Sequence, residues 1–127
     1  MTIWISDKVA LAIHDEQLAE HGGASGVRDL GLLESALARP LNLAGYGEPD
    51  TADLGAAYAI ATARNHPFID GNKRTAFMAM VTFLDVNGMR FEPPDGEAVL
   101  TMLGLAAGQM TDEAFTEWVR TNASECN

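Results

Sequence analysis

Apolar residues recur at spacings of three and four along nearly the whole chain, the period of helices that each bury one face. Start and stop signals divide the pattern into six. Ser6 suits the cap of a first helix that buries Val9, Ile13 and Leu18 and ends at Gly22-Gly23. Asp29 suits a second, carrying Leu30, Leu33 and Leu37 and stopping before Pro40. Asp50 or Thr51 opens a third with Leu54, Ala57, Tyr58 and Ala61 on one face; it finishes about His66, because Pro67 pushes the preceding residue out of the α region. A fourth starts at Asn72 or Lys73, buries Ala76, Met80, Val81 and Leu84, and ends at Asn87-Gly88. The fifth runs from Glu97 to Ala107 and stops at Gly108. The sixth starts at Thr111 and sets Phe115, Trp118 and Val119 inward. Strand signal is confined to Ile3–Ile5 and Met89–Phe91, and Asn42–Pro49 reads as a freer loop. The pattern predicts an all-α, six-helix bundle.

The 127 residues are 47% hydrophobic and 20% charged, the balance of a single folded domain over 1–127. The lone Cys126 has no partner for a bridge and Met1–Ala10 carries no secretory pattern, so a cytoplasmic location is expected. Ala98–Ala107, the longest apolar run, is too short to cross a bilayer. A net charge of −10 opposes binding to nucleic acid or anionic membrane, so neither is an expected partner. Against that background Arg64, Lys73 and Arg74, three of only eight Lys and Arg residues, form a local island of positive charge.

Two of those cations belong to "HPFIDGNKRTAF", His66 to Phe77, between the third and fourth helices. The first turn of a helix presents free N–H groups and the positive end of the dipole, an anion site before any side chain is counted. Gly71 leaves room for close backbone approach. Lys73 and Arg74 stand where a cation is disfavoured by about 0.3–1 kcal/mol, a cost that a bound phosphate would offset, Arg74 through its planar fork and Lys73 as a point charge. Each residue has a structural alternative. Lys73 extends into water; Arg74 pairs with Asp53 or Asp85; Asn72 caps the helix; Asp70 caps the helix or ties the turn, or else is a hard oxygen ligand for Mg²⁺. His66 is either hydrogen-bonded structure or a general base, its ordinary pKa of about 6.5 suiting that role. Phe68 reads as a core anchor. His14 and His21 fall on a different helix, which leaves no transition-metal set, and "DGNKRT" lacks the first glycine of a Walker A loop.

"HPFIDGNKRTA" resembles the signature of the Fic/Doc family, and its lysine resembles the Doc branch, the toxin half of Phd–Doc toxin–antitoxin pairs. The likeness extends to "LAIHDEQLAEHGG", "RDLGLLESALARP", "AIATAR" and "FLDVNG", covering most of residues 9 to 88. The resemblance implies a Fic/Doc fold with its active-site loop between the third and fourth helices. It makes His66, Asp70, Lys73 and Arg74 catalytic, with His66 the base and Asp70 the Mg²⁺ ligand, and it assigns ATP to Phe68, Gly71, Asn72, Lys73 and Arg74. Fic proteins read His-Pro-Phe-x-(Asp/Glu)-Gly-Asn-Gly-Arg-x-x-Arg and transfer AMP. Here the third loop glycine is Lys73 and the last arginine is Phe77, departures that suit the Doc branch, whereas Pro67 and Gly71 are the Fic choices. Doc proteins are implied to pass the γ-phosphate of ATP to a threonine of elongation factor Tu and to be silenced by the C-terminal segment of a Phd-like antitoxin. AMP transfer, or an inactive antitoxin-bound module, stands as the alternative. "TNASEC", Thr121–Cys126, is taken as a chance likeness to an inhibitory helix of some Fic relatives.

Overall fold

Capping side chains set four of the six helix starts in the computed structural model, which describes residues 1–126. Ser6 Oγ accepts from the Val9 N–H at 3.2 Å and opens α1 (Asp7–His21). Asp29 does the same for α2 (Leu30–Tyr46) through Leu32, at 3.0 Å, and Thr111 for α6 (Asp112–Asn122) through Ala114, at 3.1 Å. At α3 (Thr51–Asn65) Asp50 and Asp53 exchange side-chain bonds with each other's backbone N–H groups at 2.7 and 2.9 Å, a reciprocal box with aspartate in the usual glutamate position. By contrast α4 (Asn72–Val86) and α5 (Glu97–Ala106) begin on Gly71 and Gly96, with no side-chain cap.

Helix α3 is the axis of the bundle. Its small residues, Ala56, Ala57, Ala59, Ala61 and Ala63 among them, are buried around nearly the full circumference, and α2, α4 and α6 pack against it. A helix apolar on all sides must lie inside. Tyr58 and Phe83 meet at its centre with ring centroids 5.1 Å apart, and Trp4 lies 6.0 Å from Phe83. The Tyr58 hydroxyl accepts the Ile5 N–H at 2.9 Å, so the buried oxygen is satisfied.

The bundle of six helices agrees with the sequence reading; four details differ. First, α2 runs through Pro40. The missing N–H withholds the helical bond to Ala36, a cost of about 3 kcal/mol, but Pro40 and Ala36 are both fully buried in the core, which offsets it, and the expected loop from Asn42 is helical as far as Tyr46. Second, the inner face of α1 is Ala10, His14 and Gln17; Val9 is exposed and Ile13 and Leu18 are half-buried, because α1 meets the apolar core through Ala10 and Leu11 and the loop backbone through His14. Leu30, on the first turn of α2, is also exposed, and Val81 is half-buried. Third, Ile3–Ile5 forms no strand: Asn87 holds Ile3 by both backbone groups through its side chain, at 2.8 Å each. Fourth, β1 (Met89–Phe91) finds a partner in β2 (Ala123–Glu125), antiparallel, with Arg90 opposite Ser124. "TNASEC" therefore ends α6 and supplies that strand. Among the described residues no helix is long and apolar enough to cross a membrane.

Arg120 latches α6 to the start of α3. It bonds Asp50 at 2.9 Å, Asp53 at 2.6 Å and Glu117 at 2.6 Å. Its hydrogen bond is the largest cause holding the Asp50 carboxyl down to about 2. A depressed carboxylate contributes stability above its ordinary value of 3.8 that is lost as pH falls towards about 2. The melting temperature of Arg120→Ala should therefore lie below that of the natural chain at pH 6, and the gap should close between pH 4 and 2. Phe83→Ala, which empties the centre of the core, should cost about 3–5 kcal/mol in urea unfolding.

Candidate active site

Between α3 and α4 the chain reverses through His66–Gly71, and nearly every polar backbone group of the turn is held. His66 leaves the right-handed region before Pro67, as the proline requires, but goes to the left-handed well at φ 48° and ψ 56°. It is the only described non-glycine residue with positive φ, a conformation worth about 1–3 kcal/mol of strain. The connection from α1 to α2 lies alongside. Arg28 and Asp29 donate backbone N–H groups to the Pro67 carbonyl at 2.7 and 3.1 Å, and Ile69 donates to Gly26 at 3.1 Å, so that Val27 and Phe68 pair like adjacent strands.

Phe68 is the loop's anchor in the core, 1% exposed. Asn72 accepts from the Phe68 N–H and donates to the Phe68 carbonyl, both at 2.9 Å. Its amide thus staples the loop instead of capping α4, whose N-cap is Gly71 at φ 77°. His14 supports the same anchor from α1. Its ring stacks on Phe68 with centroids 3.8 Å apart and planes 7° from parallel, and its Nε2 lies 2.8 Å from the Asp70 carbonyl oxygen. A carbonyl only accepts, so Nε2 carries the hydrogen.

The chemically useful groups stand outside this scaffold. His66 is exposed, and no described residue hydrogen-bonds its imidazole. Asp70 is also exposed; its carboxylate accepts from Gly71 N–H at 2.8 Å and from Ala24 N–H at 3.2 Å. Those two bonds, Gly71's above all, with the charge of Arg74 behind them, hold its carboxyl below the ordinary aspartate value. Lys73 points into solvent at the first turn of α4, whose N–H groups no side chain caps. Arg74 leans back to donate Nη2 to the Gly22 carbonyl at 3.2 Å, leaving its buried Nε unpartnered; it pairs with neither Asp53 nor Asp85. Arg64 leaves the basic island altogether. Its guanidinium turns to Asp112 on α6, which Arg39 also holds at 3.0 Å.

Beside these cations a groove of about 370 Å³ runs between α1, α4 and α5, with Lys73, Arg74 and His21 at its rim and Phe77, Met102 and Leu103 along its wall. The position where Fic proteins carry their final arginine is thus an apolar wall residue.

The sequence model of the Fic/DOC family matches residues 4–84, well over half of the chain and the whole of this loop. The chain belongs to the Fic/DOC family. Among its relatives, "Protein kinase doc" of Escherichia phage P1 is 36% identical over 118 residues, 91% of this chain and 92% of the phage protein. "Toxin Doc" of Mycolicibacterium smegmatis (strain ATCC 700084 / mc(2)155) is 49% identical over 72 residues, 54% of this chain and 55% of that protein. A likeness of 118 residues reaches beyond the span of 9 to 88 read from the motifs.

In this Fic/DOC chain the loop residues His66–Arg74 are contiguous and lie on one turn, whereas His14, Arg28 and Gly23, which brace that turn, were not legible in the sequence. A Cβ on Gly23 would stand 2.8 Å from Asp70 Oδ2, so the glycine makes room for the carboxylate. The only sequence signal for His14 is its place four residues after Ala10, on the side of α1 that is buried. His14→Ala, which removes the stack and orphans a carbonyl, should lower unfolding stability by about 2–4 kcal/mol, while Lys73→Ala should stay within about 0.5 kcal/mol; chemical denaturation distinguishes the two.

Proposed function

We propose that this Fic/DOC chain is a Doc-type toxin that phosphorylates a protein hydroxyl with ATP, taking a threonine of elongation factor Tu and so halting translation in the cytoplasm. One observation carries the reading: a single loop of nine residues, His66–Arg74, presents an exposed imidazole, an exposed carboxylate and an uncapped helix start bearing two cations. The phage relative that is named a kinase supports it.

The site's donors fit a magnesium nucleotide. Asp70 is ionised and exposed, with lone pairs left beyond its two backbone bonds. Among the described residues no cluster of three or more His, Cys, Asp or Glu exists to hold a metal alone, which suits Mg²⁺, an ion held by one or two carboxylates together with substrate phosphates and water. Magnesium on Asp70 would supply charge neutralisation between the phosphates.

His66 takes the proton of the acceptor hydroxyl as its oxygen bonds to the γ-phosphorus. The bond from that phosphorus to the β–γ bridging oxygen breaks, ADP departs, and His66 later releases its proton to water. Lys73, Arg74 and the free N–H groups of α4 stabilise the charge that spreads over the phosphoryl oxygens. Phe68, Gly71 and Asn72 serve as the frame, Gly71 through its positive φ and Asn72 through its hold on Phe68. AMP transfer is the second reading, favoured by Pro67 and Gly71; the apolar Phe77 in place of a phosphate-clamping arginine favours phosphate transfer. The groove beside Lys73 is suited to the C-terminal segment of a Phd-like antitoxin, its apolar wall taking side chains and its basic rim taking carboxylates.

With ATP labelled at the α or the γ position and cell lysate as acceptor, label should pass from γ alone, and His66→Ala should reduce it by roughly 10²–10⁴. Label from α establishes AMP transfer instead. The absence of His66-dependent label from both positions establishes the inactive module.

A further inference from the structure

We infer that Arg28 is a positioning residue for His66, acting through the backbone. This rests on His66 being the base of the proposed reaction. A catalytic base is ordinarily aimed by a third group bonded to its ring. Here no described residue bonds the imidazole, so the ring's direction follows from the backbone that carries it. That backbone is in the left-handed well, a conformation an L residue leaves unless its surroundings fix it.

Arg28 supplies that fixing. Its Nε donates to the His66 carbonyl at 2.7 Å and its Nη2 to the Asn65 carbonyl at 2.9 Å, so one rigid fork spans the peptide that enters the strained residue and the peptide that leaves it. The N–H of the same Arg28 donates to the Pro67 carbonyl at 2.7 Å. Three consecutive carbonyls, Asn65, His66 and Pro67, thus answer to one residue. The guanidinium also sits at the C-terminal end of α3, where the helix dipole favours positive charge. Arg28 is exposed, so truncating it opens no cavity in the core. A lysine keeps the charge but lacks the fork that spans two carbonyls.

The test compares the full natural chain with Arg28→Ala and Arg28→Lys. One readout is label transfer from ATP in lysate; the other is the ring resonances of the three histidines, assigned with His66→Ala. For Arg28→Ala kcat should fall by about tenfold to a hundredfold, the scale of a small misplacement of a reacting group. KM for ATP should stay within about twofold, because the phosphate cations are untouched. His66 resonances should shift or broaden while His21 stays in place, and Arg28→Lys should fall between. Unchanged His66 resonances, full turnover, or a raised KM at normal kcat would each overturn the inference, the last by showing that Arg28 holds substrate. Should the natural chain transfer no label at all, the functional reading fails on its own, and the resonances still decide whether Arg28 orders His66. If Arg28→Ala does not fold, Arg28→Lys carries the same comparison.

Discussion

Phe68 inserted between α1 and the core is the contact on which the candidate active-site loop depends. The loop turns Pro67 and Phe68 inward, and Phe68, the larger, is almost completely buried, face to face with His14. Its backbone is gripped by Asn72, so burying the ring fixes both the entry to the loop and the start of α4. A buried aromatic with its neighbouring polar groups satisfied is worth several hydrogen bonds in water. This one holds in place a turn that would otherwise relax, since His66 is strained and the helix start behind it is uncapped. The site's reactive groups contribute little to their own placement; the apolar anchor and its polar braces supply it.

The braces come from elements distant in sequence, and they divide the work. From α1, His14 holds the carbonyl of Asp70 and the face of Phe68. The α1–α2 connection holds the other end, through Arg28 and the paired backbone of Val27 and Phe68. The carboxylate of Asp70 is itself tied to that connection at Ala24. Most of these braces take a backbone group of the loop as their partner, and none takes the side chain of His66 or Lys73, which hydrogen-bond to no described residue. That division explains why a histidine stands at position 14 on the inner face of α1: the Asp70 carbonyl needs a donor, and a leucine there would leave it unmet.

What was legible in the sequence was local chemistry. Ser6, Asp29, Asp50 and Thr111 announce helix starts because a cap acts within three residues, and the loop motif could be read because its members are contiguous. Pro40 misled because its local cost is outweighed by packing that only the assembled core reveals. Arg64 misled for a related reason: proximity in sequence placed it with Lys73 and Arg74, whereas α6 brings Asp112 to it from the far end of the chain. His14 and Arg28 were invisible as site residues since their partners, 56 and 38 positions away, are backbone carbonyls that no residue type advertises. Strand β2 had no local signal either, being three residues paired only through the register that β1 offers.

Helix α4 gives the site its last constraint, because its faces serve different ends. Asn72, Thr75, Ala76 and Ala79 lie inward and set the helix against the core, while Lys73, Arg74 and Phe77 border the groove shared with α1 and α5. The cations that would meet phosphate are therefore also the rim of an apolar groove. In a chain of net charge −10, a carboxylate reaching that rim from a bound peptide would screen the same two charges that a phosphate would need. On the proposed function, occupation of the groove and binding of an anion at α4 would thus be coupled by shared charge. The sign of that coupling follows from the peptide's own charge: acidic side chains at the rim oppose nucleotide, and an apolar segment lying only on Phe77, Met102 and Leu103 leaves the cations free.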